Sequence, residues 1–136
     1  MKRRTFLAMS ASFLTAGQAL AGVGLTFKPG LVKRELAAGK TVFIDFYTDW
    51  CSTCRSQERT INALKAANPA YEENISFVAV DWDVHSRSKL SKALNIPRRS
   101  TLVVLKGKKE LGRIVAGTAK AAIKALMDTA LTAAIA

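Results

Sequence analysis

The sequence is poor in cysteine and histidine, and these shortages exclude several kinds of protein. Two cysteines among 136 residues cannot form the disulfide framework of a small secreted module, which needs four or more. One histidine, His85, together with two cysteines leaves a four-ligand zinc site incomplete. We therefore expect the cysteines to serve chemistry rather than scaffolding, with no metal and no cofactor.

Acidic residues are also scarce, at 10 against 21 lysines and arginines, so the formal net charge is +11. Such a balance permits binding to nucleic acid or to an anionic membrane. The basic residues are scattered along the chain, however, and no nucleic-acid-binding motif accompanies them. We expect a solvated basic surface and no nucleic acid partner.

The N-terminal apolar stretch is not a long, pure hydrophobic run. Residues 2–4 are basic, and residues 5–20 are uncharged but diluted by serine, threonine, glycine and glutamine. A membrane-spanning helix needs about 20 strongly apolar residues. Residues 19–21 read Ala-Leu-Ala, a small-x-small cleavage pattern. The order predicts a signal peptide over residues 1–21, cleaved after Ala21, and one mature domain over residues 22–136 with no membrane span.

The arginine pair at residues 3–4, followed by Thr-Phe-Leu, resembles a twin-arginine export signal. Such a signal predicts a bacterial-type cell and a periplasmic protein. A disulfide can persist in that oxidising compartment. The alternative is an uncleaved anchor helix.

The rest of the chain alternates between strand and helix patterns. Apolar β-branched and aromatic runs predict strands at residues 41–48, 75–82, 100–106 and 110–115, with residues 22–27 as a first strand or an extended lead-in. Helical spacing predicts helices at residues 31–38, 51–67 and 86–94, and a last helix capped by Thr118. Long early links imply parallel strands, and the short link at Gly107 implies an antiparallel hairpin. We predict an α/β domain with a central mixed sheet, a C-terminal antiparallel hairpin and flanking helices.

Two cysteines lie where a predicted buried strand gives way to a helix, in the segment Asp-Trp-Cys-Ser-Thr-Cys at residues 49–54. A helix N-terminus carries partial positive charge and free N–H groups, which favour a thiolate at Cys51. We expect Cys51 to be the exposed attacking sulfur and Cys54, one turn into the helix, to resolve a mixed disulfide. A structural disulfide and half of a metal site are the alternatives.

Asp45 and Pro97 are the other candidates. Asp45 lies inside the apolar strand before the cysteines, where poor solvation raises the pKa of a carboxyl group, and it is placed to take a proton from Cys54. The alternative is an acid at the strand edge that turns to water. Pro97 lies between a predicted helix and a strand, where a cis peptide would hold the chain beside the cysteines. The alternative is a simple helix stop.

These features together resemble the thioredoxin superfamily. Residues 42–55 are similar to the family's strand and active-site segment, and Ile96-Pro97 before an apolar strand is similar to its cis-proline loop. Lys106, Gly107 and Gly117 stand where the family's edge hairpin has similar residues. The resemblance implies a thioredoxin fold across nearly all of residues 25–130.

The resemblance also implies roles for individual residues. Cys51 would be the nucleophile and Cys54 the resolving thiol, with Asp45 as the buried acid that assists proton transfer. Around them, Trp50 would flank the site, Pro97 would contact substrate as the cis-proline, and Ile96 would offer its backbone to an extended peptide.

Residues 37–40 and 48–50 look closest to exported thioredoxin-like domains, such as the C-terminal domain of the transmembrane thiol:disulfide interchange reductase. This implies an exported, monomeric oxidoreductase that reduces protein disulfides. Its electrons would come from a thiol donor such as a membrane disulfide reductase. The alternatives are a disulfide oxidase or isomerase, and a non-catalytic binding module for a protein partner or copper.

Two departures from the family pattern bear on the chemistry. Ser52 and Thr53 replace the usual Gly-Pro pair between the cysteines, which helps to tune the redox potential. Arg98 and Arg99 lengthen the loop between Pro97 and the next strand by two residues, and set positive charge beside the cysteines. That charge favours a thiolate and acidic partners; the alternative is a solvated loop.

Overall fold

The computed structural model describes residues 20–136, with side chains described from residue 22 onward. The predicted signal peptide over residues 1–21 lies outside this range apart from the backbone of its last two residues, so its cleavage stays a prediction. Within the described part of the chain, every helix is too short or too polar to cross a bilayer.

Twelve elements make up the described chain. The strands are β1 (Leu20–Ala21), β2 (Gly24–Thr26), β3 (Thr41–Tyr47), β4 (Ile75–Asp81), β5 (Thr101–Lys106) and β6 (Lys109–Val115). The helices are α1 (Leu31–Ala37), α2 (Ser52–Ala67), α3 (Ala70–Asn74), α4 (Trp82–His85), α5 (Lys89–Ala93) and α6 (Lys120–Ile135).

The strands form one six-stranded sheet in the order β1-β2-β4-β3-β5-β6. Strand β3 runs parallel to β4 and antiparallel to β5, and β5 continues into β6 as an antiparallel hairpin. The predicted α/β class, mixed sheet and C-terminal hairpin are therefore confirmed.

Three helix predictions were wrong in detail. The predicted helix at residues 86–94 is present only as the shorter α5, because the Ser88 side chain accepts a hydrogen bond from the Ser91 N–H and starts the helix there; α4, which precedes it, was not predicted. The helix α3, directly after Pro69, was not predicted at all. Thr118 does not cap the last helix: α6 begins at Lys120, and Ala119 before it provides no side-chain cap.

Strand β3 lies at the centre of the sheet and separates two hydrophobic cores. Phe43 packs into the core beneath α2, α3 and α6, whereas Ile44 and Phe46 pack into the core on the α1 side. Since alternate strand residues point to opposite faces, Asp45 shares the face of Phe43 and Tyr47. The fold thus places a buried carboxyl group on the side of the sheet that the cysteine helix covers.

Candidate active site

Cys51 occupies the N-cap position of α2. Its backbone is extended, with φ −88° and ψ 114°, and its Sγ accepts a hydrogen bond of 3.2 Å from the Cys54 N–H. No acidic residue lies in the first turn of α2, so this sulfur meets the positive end of the helix dipole. Both cysteines are free thiols. The strand-to-helix junction predicted from the sequence therefore lies at the cysteines.

The two sulfurs differ little in exposure. Cys51 is 4% exposed and Cys54 is 2% exposed. The expectation of an exposed attacking sulfur is therefore wrong for this conformation, because side chains from the loop before β5 pack against Cys51.

Ser100 is the residue of that loop that reaches both sulfurs. Its side chain is fully buried, and its Oγ lies 3.2 Å from the Sγ of Cys51 and 3.0 Å from the Sγ of Cys54. Thr101, which follows Ser100, pairs with Phe46 near the end of β3. This register brings Ser100 to the sheet edge where the cysteine segment begins.

Trp50 lies between a cation and an anion. The guanidinium carbon of Arg99 is 4.3 Å from the centre of the indole ring, and the indole Nε1 donates a hydrogen bond of 2.9 Å to Asp83. The ring itself remains 62% exposed. As expected from the sequence, Arg99 adds positive charge beside Cys51; the proposed role of Trp50 in substrate binding stays a prediction.

The pKa values of the two thiols are shifted in opposite directions. Burial disfavours the Cys51 thiolate, but hydrogen bonds from Cys54, Ser100 and Arg99 outweigh it and lower the pKa to about 6. Burial raises the pKa of Cys54, and its contact with Cys51 raises it further. Cys51 is therefore the thiol that ionises first.

Asp45 is 1% exposed, and its Oδ1 has no hydrogen-bond partner among the described residues. Burial raises its pKa to about 8, and the negative charges of Glu58 and Cys51 add to the effect. The alternative of an acid turned to water is thus excluded, and Asp45 is mostly protonated at neutral pH.

The structure corrects the expectations for Pro97 and Ile96. The peptide bonds of the described residues include no cis bond, so Pro97 is not a cis-proline. It is exposed and lies three residues before Ser100, which reaches the sulfurs instead. The Ile96 side chain is buried in the α1-side core, and its N–H donates to the carbonyl of Ser91. The two extra residues, Arg98 and Arg99, carry the chain past the proline before it reaches the cysteines.

Sequence reasoning missed Ser100, Gln57 and Glu58. Glu58 lies four residues after Cys54, so the helical repeat puts both on one face. Gln57 is fully buried, and its Nε2 donates bonds of 3.0 Å to the carbonyl of Ser100 and 2.9 Å to that of Gly117. The position of Ser100 directly before a buried strand was the available signal, but the pairing of that strand had to be known.

Among residues 20–136, no cluster of three or more histidine, cysteine, aspartate or glutamate side chains is arranged to hold a metal ion. The arrangement offers a low-pKa thiol, a second thiol one turn away and a protonated carboxyl group on the sheet beneath. These groups suit the transfer of two electrons between a dithiol and a disulfide.

Comparison with known proteins gives consistent matches. A family model described as Thioredoxin matches residues 26–129. Mitochondrial thioredoxin-2 of Schizosaccharomyces pombe is 28% identical over 113 residues, which cover 83% of this chain and 80% of that protein. Trxlp from Edwardsiella tarda aligns with a TM-score of 0.64 and 26% identity, covering 74% of this chain and 95% of that one. A variant of Entamoeba histolytica thioredoxin aligns with a TM-score of 0.62 and 25% identity, covering 77% and 97%.

Proposed function

Since the chain belongs to the thioredoxin family, we propose that it reduces protein disulfides by thiol–disulfide exchange at Cys51 and Cys54. The thioredoxin fold expected from the sequence is confirmed, and the two cysteines have the C-x-x-C spacing of a thioredoxin-family oxidoreductase. The observation that carries the proposal is the environment of Cys51, whose Sγ accepts a hydrogen bond from the Cys54 N–H and lies 3.2 Å from the Ser100 Oγ, and whose pKa is lowered to about 6.

The first step is attack by the Cys51 thiolate. With a pKa of about 6, Cys51 is about nine-tenths ionised at pH 7. Its sulfur forms a bond with one sulfur of the substrate disulfide and displaces the other as a thiolate, which then takes up a proton. The product is a mixed disulfide between Cys51 and the substrate.

The second step releases the substrate. Cys54 gives up its proton, and Asp45 in its ionised form is the proposed acceptor, since it lies on the sheet face beneath α2. The Cys54 thiolate then attacks the Sγ of Cys51 and forms the intramolecular disulfide. The second sulfur of the substrate leaves as a thiolate that takes up a proton, so the dithiol has supplied two electrons and the disulfide has accepted them.

An oxidase or isomerase is the second candidate, and the lowered pKa of Cys51 favours it. A stabilised thiolate stabilises the dithiol form, and so raises the reduction potential. Equilibration with glutathione separates the two directions: a potential near about −270 mV supports a reductase, and one near about −120 mV supports an oxidase.

We also propose that the protein works after export, in the periplasm. The support is the basic, apolar and small-residue order of residues 1–21 together with the arginine pair. The resemblance to exported reductase domains that we inferred from residues 37–40 and 48–50 makes a membrane disulfide reductase the proposed electron donor, although the matches described above are to thioredoxins. N-terminal sequencing of protein from the periplasmic fraction should begin at Gly22; a chain beginning at Met1 in that fraction would contradict cleavage.

Reduction of insulin by dithiothreitol tests the proposed activity. Wild type should accelerate the reaction, Cys51→Ser should lose that acceleration, and Ser56→Ala on the same helix should keep it. Cys54→Ser should accumulate a mixed disulfide through Cys51, which non-reducing electrophoresis detects. Equal activity of wild type and Cys51→Ser would refute the proposal, and retained copper with no exchange activity would favour a binding module instead.

A further inference from the structure

The hydroxyl group of Ser100 is placed to contact either active-site sulfur. Its Oγ lies 3.2 Å from the Sγ of Cys51 and 3.0 Å from the Sγ of Cys54. All three residues are buried, so water competes little for these contacts. A hydroxyl group has one proton to donate and two lone pairs that accept, so it donates to one sulfur at a time.

The backbone holds Ser100 firmly in this place. Its N–H donates a bond of 2.7 Å to the carbonyl of Phe46, and its own carbonyl accepts from the Ala116 N–H at 2.9 Å and from Gln57 at 3.0 Å. Ser100 also has a φ of 63°, a conformation that is costly for a residue with a side chain. Contacts from β3, α2 and the loop after β6 thus maintain a strained serine beside the cysteines.

The requirements of the two sulfurs change during exchange. In the starting dithiol, Cys51 is the thiolate and needs a donor, whereas the Cys54 thiol can donate to the Ser100 oxygen. In the mixed disulfide, the Cys51 sulfur has lost its negative charge and is a poor acceptor. The negative charge next develops on Cys54, whose Sγ lies equally within reach of the same hydroxyl group.

We propose that Ser100 is a further catalytic residue, whose hydroxyl group donates a hydrogen bond first to the Cys51 thiolate and then to the Cys54 thiolate. This inference rests on the proposed dithiol exchange. Ser100 forms no covalent bond and gains or loses no proton overall. The proton of Cys54 goes to Asp45, and the electron balance remains that of one dithiol and one substrate disulfide.

Loss of the Ser100 hydroxyl group should change the pH dependence of the exchange reaction. Loss of a donor to a thiolate raises the pKa of each thiol in turn. A higher pKa lowers the thiolate fraction but makes each thiolate more nucleophilic, so rates fall by less than the ionised fraction does. The effect of Ser100 on the attack step is therefore best measured as the pH midpoint of that step, and its effect on the resolution step as the rate of that step.

The experiment follows both steps with one equivalent of 5,5′-dithiobis(2-nitrobenzoate) per protein, in a stopped-flow instrument. The first coloured thiolate is released by attack and the second by resolution, and Cys54→Ser should release only the first. In Ser100→Ala, the pH midpoint of the first phase should rise above about 6. Its second phase should be about three- to tenfold slower at pH 7, from the loss of one charge-assisted hydrogen bond.

Two further variants keep the test decisive. Ser100→Gly also lacks the hydroxyl group but relieves the positive φ, so it should behave like Ser100→Ala even if the alanine variant folds poorly. Ser91→Ala removes another buried hydroxyl group, one that donates to the carbonyl of His85, and should leave both phases unchanged.

The outcomes separate the two proposals. Folded Ser100 variants with wild-type midpoint and wild-type second phase would overturn the role of Ser100, while wild-type exchange would still stand. A change in only one of the two phases would overturn the proposal that the Ser100 hydroxyl group donates to both thiolates in turn. If wild type itself released no second thiolate, the proposed function would fail before Ser100 was tested.

Discussion

Arg99 connects the cysteines to the exposed surface of the site. Its guanidinium group stacks over the Trp50 ring at 4.3 Å, and its presence beside Cys51 lowers the pKa of that thiol. A cation close to a sulfur favours the thiolate over the thiol. At the scale of single residues, we therefore expect Arg99 to influence both the ionisation of Cys51 and the access of solvent to its sulfur.

Replacing Arg99 should weaken the thiolate. In Arg99→Ala, the pKa of Cys51 should rise above about 6, since the neighbouring positive charge is lost. The pH dependence of iodoacetamide alkylation measures this midpoint. Arg59→Ala, which removes an exposed arginine from α2, should leave the midpoint unchanged. An unchanged midpoint in Arg99→Ala would show that the guanidinium group does not act on the sulfur.

Which site residues can be predicted from the sequence depends on how local their signal is. Cys51 and Cys54 form a pattern four residues long, and Asp45 stands out because it interrupts an apolar strand. Ser100 carries no such pattern, because its contacts with the cysteines arise from antiparallel pairing of β5 with β3 across some fifty residues, whereas the charge of Arg99 beside the cysteines was predicted from the two-residue insertion after Pro97. Pro97 was predicted from its place between a helix and a strand and from the resemblance of Ile96-Pro97 to the cis-proline loop, and the two added arginines displaced it from the expected place.

At the scale of elements, the N-terminal two turns of α2 position the main residues of the site. Cys51 and Cys54 lie in the first turn, and Gln57 follows in the second. The buried Gln57 amide ties α2 to the loop before β5 and to the loop after β6 through the carbonyls of Ser100 and Gly117. One side chain thus joins three separate segments.

Loss of this link should loosen both loops. Gln57→Ala removes two buried hydrogen bonds and leaves a carbonyl unpaired, so the free energy of unfolding should fall by about 2 kcal/mol. Urea denaturation measures the loss, and faster hydrogen exchange at the Ala116 amide would localise it. Asn62→Ala removes an exposed amide from the same helix and should change stability by less than about 0.5 kcal/mol.

Most elements could be predicted because their signals are strong over several residues. Strand β3 is almost entirely apolar, and α2 ends before Asn68-Pro69 as predicted. The segment from residue 82 to 93 was harder: the Ser88 side chain caps α5 and starts that helix later than predicted, and the short helix α4 was not predicted. The start of α6 was misplaced because Thr118 has the residue type of a cap without the position of one.

At the scale of the whole molecule, the sheet carries a core on each face, and Asp45 is a carboxyl group buried on one of these faces. Its pKa of about 8 lies well above 3.8, the ordinary value for an aspartate in water. The folded state therefore binds this proton more tightly than the unfolded state does. Stability from this group falls as pH rises from about 4 to about 8, and is constant outside that window.

The Asp45→Asn variant should be more stable than wild type at neutral pH. About three pH units of difference at 1.36 kcal/mol each correspond to about 4 kcal/mol at pH 7 as an upper figure. The advantage should shrink as pH is lowered towards 4, which denaturant midpoints across the range measure. Asp128→Asn is the opposite control: bonds from Lys124 and Tyr71 lower the pKa of Asp128, so its loss should destabilise the neutral protein. An Asp45→Asn advantage that is independent of pH would contradict a raised pKa.

The exposed ring of Trp50 provides an intrinsic fluorescence signal at the active site. A disulfide substrate that binds at Cys51 comes close to the neighbouring Trp50 ring, which is 62% exposed, and the emission of Trp50 should change as its contact with Arg99 and its hydration change. Trp82, edge-on to Phe46 with ring centres 6.0 Å apart, provides a second signal that stays tied to the core. The binding of an unlabelled disulfide partner can therefore be followed by tryptophan fluorescence, without a coloured reagent.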